Sequence, residues 1–103
     1  MPKLTTETPH ALARDEAIRR LKERFGEARD TYGSQVTDLH EQWNGGTLSF
    51  SFKVVGMSIA GTVAVEDSAV KLDAELPMAA IMFKGMIEGR IREELNTLLE
   101  NGG

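Results

Sequence analysis

Trp43-Asn44-Gly45-Gly46-Thr47-Leu48-Ser49-Phe50-Ser51-Phe52-Lys53-Val54 decides how this chain folds. Leu48, Phe50, Phe52 and Val54 alternate with Thr47, Ser49, Ser51 and Lys53, the pattern of a strand with one face on a core and the other in water. Upstream, Thr37, Leu39, Glu41 and Trp43 alternate in the same way and are expected to point to one side. Asn44-Gly45-Gly46 between the two runs offers the positive-φ positions of a tight hairpin. Downstream, Val55-Gly56 turns the chain back, and Met57, Ile59, Gly61, Val63 and Val65 line a further strand. After the turn Glu66-Asp67-Ser68, Val70, Leu72, Ala74 and Leu76 alternate with Lys71, Asp73 and Glu75. Connections this short make the four strands an antiparallel meander.

Outside the meander the period becomes helical. Ile18, Leu21, Phe25, Ala28 and Tyr32 predict the buried face of a helix from about Arg14 to Tyr32, stopped by Gly33. Gly26 inside it marks close packing or a bend, and weakens the helix by roughly 1 kcal/mol relative to alanine. Leu4, Thr6 and Thr8 give residues 3–8 a weaker alternation, that of a short strand ending at Pro9-His10. Pro77 closes the last strand and opens the final helix, where Phe83, Ile87, Ile91, Leu95 and Leu98 form a stripe for docking on the sheet. The order β-α-β-β-β-β-α specifies a two-layer α+β domain. A curved antiparallel sheet of four to five strands is covered on one face by two helices, the long C-terminal one lying across it. Residues 1–103 read as this single domain, with 100–103 as a frayed tail.

The final helix carries a second apolar side. Met78, Met82 and Met86 recur every four residues and, at ~100° per residue, project roughly opposite the core stripe. Gly85 and Gly89 fall on that side and leave it flat. A helix apolar on two sides must bury both, so Met78, Met82, Phe83, Gly85, Met86 and Gly89 form the candidate functional surface. It has three possible uses: an extended core, a two-fold dimer contact in which the glycines let helices approach, or contact with a lipid-like ligand or granule. The homodimer is the leading expectation. Lys84 falls between Ile87 and Ile91 on the core side, where its stem packs and its ammonium reaches the sheet edge, or where it anchors the carboxylate of a ligand or partner.

Composition excludes much else. With 103 residues the chain is one domain in size. A formal charge of −4 argues against nucleic acid, since no surplus of cations is there to displace counterions from phosphates. Arg14, Arg19, Arg20, Lys22, Arg24 and Arg29 are interleaved with Glu16, Glu23, Glu27 and Asp30, which makes a solvated face with i,i+4 ion pairs. No cysteine is present, the N-terminus lacks a signal-peptide core, and no apolar run approaches the ~20 residues of a membrane span. These features point to a cytoplasmic protein. His10 and His40 have no neighbour at metal-ligand spacing and read as surface or capping residues. The carboxylates, among them Asp73, Glu75, Glu93 and Glu94, read as solvated, without the apolar setting that tunes an acid or base. Ser49, Ser51 and Ser58 lack a nucleophile elbow, and no glycine run makes a phosphate loop. Trp43 is expected to close the open edge of the core. The reading is of a non-enzymatic protein with no metal and no cofactor.

Several segments taken in order resemble the small family of polyhydroxyalkanoic acid system proteins. They are His10-Ala11-Leu12, Glu16-Ala17, Trp43 to Ser51, Gly56 to Asp67, Val70 to Pro77, and Phe83-Lys84-Gly85-Met86-Ile87-Glu88. The resemblance spans nearly the whole chain, though each segment alone is mostly strand and turn grammar. It implies a small bacterial cytoplasmic protein tied to storage polyester metabolism or granules, and supplies no catalytic motif. On that basis the expected function is an accessory role exercised through the apolar face of the C-terminal helix, by self-association or on a hydrophobic polymer granule. A rival is a small carrier holding a fatty-acyl or hydroxyacyl chain between sheet and C-terminal helix, a layout that looks like an abridged helix-grip domain. Against it, Phe50, Phe52, Phe83 and Trp43 are large enough to fill that gap. A structural dimer without ligand is the third reading.

Overall fold

The computed structural model, which describes residues 3–54 and 56–100, turns the alternating runs into five strands and the helical periods into two helices. In chain order these are β1 (Lys3–Pro9), α1 (Arg14–Tyr32), β2 (Thr37–Asn44), β3 (Thr47–Val54), β4 (Met57–Val65), β5 (Ala69–Glu75) and α2 (Lys84–Leu98). Short 3-10 helices, Gly33–Gln35 and Met78–Phe83, lead into β2 and α2. The sheet is antiparallel throughout in the order β1-β5-β4-β3-β2, so the first strand joins the meander at its far edge. Leu4, Thr6 and Thr8 stand opposite Ala74, Leu72 and Val70, which puts all six on the core face. The α+β layout is therefore the one the alternation specifies. Residues 101–103 of the expected tail and Val55 of the β3–β4 turn lie outside the described residues.

The core sits off-centre. Leu4, Leu48, Val63, Val65, Val70, Leu72 and Leu76 on the sheet meet Ala17 and Leu21 of α1 and Leu95 and Leu99 at the end of α2. Towards β2 the same face thins: Phe50, Phe52 and Ile59 are half-buried, and Leu39 and Met57 are exposed. The helices are fixed to each other at one end by Arg20, whose Nη1 donates to the carbonyls of Leu98 at 3.0 Å and Glu100 at 2.9 Å. It thereby satisfies carbonyls that the last turn of α2 leaves without partners.

Four local expectations are corrected. Thr37 does not share a face with Trp43: it pairs with Lys53, whereas His40 pairs with Ser51, so β2 holds one extra residue between them. Asp38, at φ 53°, accommodates this bulge, and with a side-chain period of two the strand's earlier residues flip to the other face. In the β2–β3 turn only Gly45 has positive φ; a Cβ on Gly46 would meet the end of the flexible Arg14 side chain, which would have to move aside. Tyr32 is exposed, since α1 ends beyond the edge of the core. Finally, Met78–Phe83 winds as a 3-10 helix with three residues per turn, and Phe83 leaves the core stripe for solvent.

Candidate functional site

The 3-10 winding changes what residues 78–83 present. Successive residues of a 3-10 turn occupy three different ridges, and Ile81, Met82 and Phe83 are 52%, 85% and 52% exposed. Apolar side chains therefore stand in solvent on all three ridges of that turn, while Ala80 alone turns back onto the core. Met78 and Met86, each 68% exposed, extend the surface at either end. An extended core is thus ruled out for these methionines in the monomer. A Cβ built on Gly85 or Gly89 would meet nothing within 4 Å, so the chain's own packing does not require either glycine. Lys84 is half-buried at the start of α2.

A second apolar surface lies between the sheet and the helices. Between α1, α2 and the sheet lies a cavity of about 290 Å³ walled by Leu21, Phe25, Phe50, Ile91 and Leu98, among others. Another of about 200 Å³ adjoins it towards β2, along Tyr32, Val36, Leu39 and Phe52. Phe25, Ala28 and Phe50 line both, which makes one groove, and the Phe50 and Phe52 rings stack along its sheet wall with centroids 6.2 Å apart. Of the four large aromatic residues expected to fill this gap, Phe50 and Phe52 line it without filling it, while Phe83 and Trp43 lie elsewhere.

The groove has one acidic member on its sheet wall. Glu41 stands opposite Phe50 in the β2–β3 register, so its side chain shares the apolar face, and that side chain is only 16% exposed. Its oxygen lies 3.4 Å from the Nη1 of Arg29 on α1. That is longer than the ~2.7–2.9 Å of a charge-assisted hydrogen bond, so neither group is fully engaged. The expectation that carboxylates sit on solvated faces fails at Glu41. The signal was its place in the Leu39–Trp43 alternation, on the apolar phase.

The remaining candidates are structural. His10 is buried in the turn after β1: its Nδ1 accepts from the Leu12 amide at 3.2 Å, so Nε2 carries the proton and donates to the Glu66 carbonyl at 2.9 Å. This is the capping role. Trp43 packs half-buried at the core edge, with the Lys22 ammonium 5.2 Å from its ring centroid. Glu16 is held down at about 2 by hydrogen bonds from Arg19 and then Arg20. Among the described residues no cluster of three or more His, Cys, Asp or Glu is placed to hold a metal ion, and no helix is long and apolar enough to cross a membrane.

Comparison with known proteins adds the following. No curated protein matches the sequence. A crystal structure of TTHA0849 from Thermus thermophilus aligns over 95% of this chain and 92% of its own, at 12% identity and a TM-score of 0.37. The family described as "Putative polyhydroxyalkanoic acid system protein" matches residues 4–99, a span that runs from the second residue of β1 past the end of α2 and includes the exposed methionines. The chain belongs to that family.

Proposed function

We propose that this protein is a non-enzymatic, cytoplasmic accessory of the polyhydroxyalkanoate system, and that it self-associates through the apolar surface of residues 78–89. The observation that carries this is the run Met78, Ile81, Met82, Phe83 and Met86, five large apolar side chains all more than half exposed within nine residues. Isolated exposed hydrophobes are ordinary, but a contiguous set on a single turn is the mark of a contact surface. A two-fold dimer would bring Gly85 and Gly89 against a second copy, where the missing side chains permit close approach. A stable dimer buries roughly 800 Å² per partner, so these side chains make its centre and the flanks of α2 its rim.

Light scattering of the wild type and Met82→Glu side by side tests this. A wild-type dimer and a folded monomeric variant are expected, because Met82 makes no core contact that glutamate would remove. A folded wild-type monomer would refute self-association. Should that monomer pellet with polyhydroxyalkanoate granules and Met82→Glu fail to, the surface would belong to the polymer instead.

A further inference from the structure

We propose that the groove between α1, α2 and the sheet binds a hydroxyacyl amphiphile, with its tail on Phe25, Ala28 and Phe50 and its hydroxyl and carboxyl groups between Glu41 and Arg29. The two adjoining cavities, about 290 and 200 Å³, together reach the lower range of small-ligand pockets. Their shared wall is apolar and aromatic, which suits an alkyl chain.

The Glu41–Arg29 pair sets the class of head group. Glu41 offers only acceptors and Arg29 only donors. A ligand satisfying both must present a donor to the carboxylate and an acceptor to the guanidinium, as the neighbouring hydroxyl and carboxylate of a 3-hydroxy acid do. Stability does not explain the pair: at 3.4 Å, with the Arg29 side chain 55% exposed, it contributes little. Meanwhile the carboxylate is partly desolvated on a face where an aliphatic residue would extend the core. At the other end of the groove the ion pair Arg24–Glu94 also lines the cavity, but its carboxylate is 45% exposed against 16% for Glu41. The polar end therefore belongs at Glu41. The choice of a 3-hydroxy acid as probe rests on the polyhydroxyalkanoate reading; the groove and its ion pair do not.

Titration calorimetry with 3-hydroxydecanoate and with decanoate is the test. Both are expected to bind the wild type, the hydroxy acid about tenfold or more tightly, the value of one hydrogen bond to a charged group. Glu41→Leu should keep decanoate binding and erase that preference. Ala28→Phe should fill the groove and abolish binding of both, and Ala28→Leu substitutes for it should the larger variant fail to fold. Met82→Glu should bind as the wild type does, so failure of the groove and failure of the methionine surface are separately visible. The proposal is overturned if the wild type binds neither acid, if it binds both equally, if the preference survives in Glu41→Leu, or if the filled groove still binds.

Discussion

Gly61 is the position at which the smallest change should do the most damage. It lies in the middle of β4, opposite Phe50 of β3 and Ala74 of β5. A Cβ added there would stand 2.9 Å from the Phe50 ring tip and 2.9 Å from the Ala74 Cα, and closer still to the Asp73 carbonyl oxygen. The ring can swing away, but the two backbone atoms belong to the neighbouring strand and cannot. Gly61→Ala must therefore push β5 from β4 and also displace the Phe50 ring, which covers the missing side chain across the strand pair. Overpacking of this kind costs about 1–3 kcal/mol, and the upper end applies where backbone must move. With a urea slope of about 1–1.5 kcal/mol/M for a chain this small, the midpoint should fall by roughly 2 M. Urea melts followed by far-UV circular dichroism read this directly. A second variant locates the obstacle: in the Gly61→Ala background, Phe50→Leu removes the ring contact and leaves the Asp73 carbonyl in place, so stability should not return. A midpoint within about 0.5 M of wild type, or full rescue by Phe50→Leu, would refute the close approach of β4 and β5.

Three further outcomes are expected. Gly26→Ala should stabilise by up to about 1 kcal/mol, raising Tm by roughly 4–8 °C, because its Cβ would meet only the Arg29 guanidinium at 3.6 Å and the helix runs unbroken through it; a lower Tm would restore the close-packing reading. Thr6 and Thr8 are each 2% exposed with hydroxyls that no group among the described residues pairs, so Thr6→Val should gain about 1 kcal/mol in thermal melts; a loss would show the hydroxyl to be engaged. Glu16 has its folded pKa depressed from 4.5 to about 2 by Arg19 and Arg20. Its contribution is therefore complete above pH 4.5 and is lost as pH falls towards 2. Glu16→Gln should flatten that part of the acid unfolding curve, and an unchanged acid limb would show that the guanidinium contacts do not persist in solution.

The meander and its core face were legible because alternation is a two-state signal, and Leu48, Val63, Val70 and Leu72 answer it without ambiguity, but nothing in the alternation of residues 3–8 said that β1 would pair with β5. The bulge was not. Asp38 has no glycine beside it to advertise positive φ, and one inserted residue reverses faces without altering the run of residue types. The 3-10 lead-in was hidden for a similar reason. Met78, Met82 and Met86 have α-helical spacing, and no propensity separates six residues of 3-10 from α. The methionines were legible as a surplus apolar side, but Phe83 falls in both the core stripe and the candidate surface by spacing, and its 52% exposure shows the stripe to be one turn too long. Glu41 was overlooked by a rule about residue type, carboxylates outside, where its strand phase said otherwise.

The offset of the core is what leaves this protein with two separable surfaces. Buried packing is concentrated around β1, β5 and β4, where Leu4, Leu72 and Val63 meet Leu21, Leu95 and Leu99. On the far side the sheet's apolar face continues past the helices and becomes the groove of Phe25, Phe50 and Phe52. Before α2, the chain leaves β5 in a 3-10 turn that sends Ile81, Met82 and Phe83 outward together. None of the exposed residues from Met78 to Met86 lines the groove. A substitution such as Met82→Glu therefore alters the exposed apolar surface without entering the cavity, and Glu41→Leu alters the cavity without touching the methionines. A single apolar surface serving both roles would instead make either substitution disturb both readouts, and that coupling is what would show the separation to be wrong.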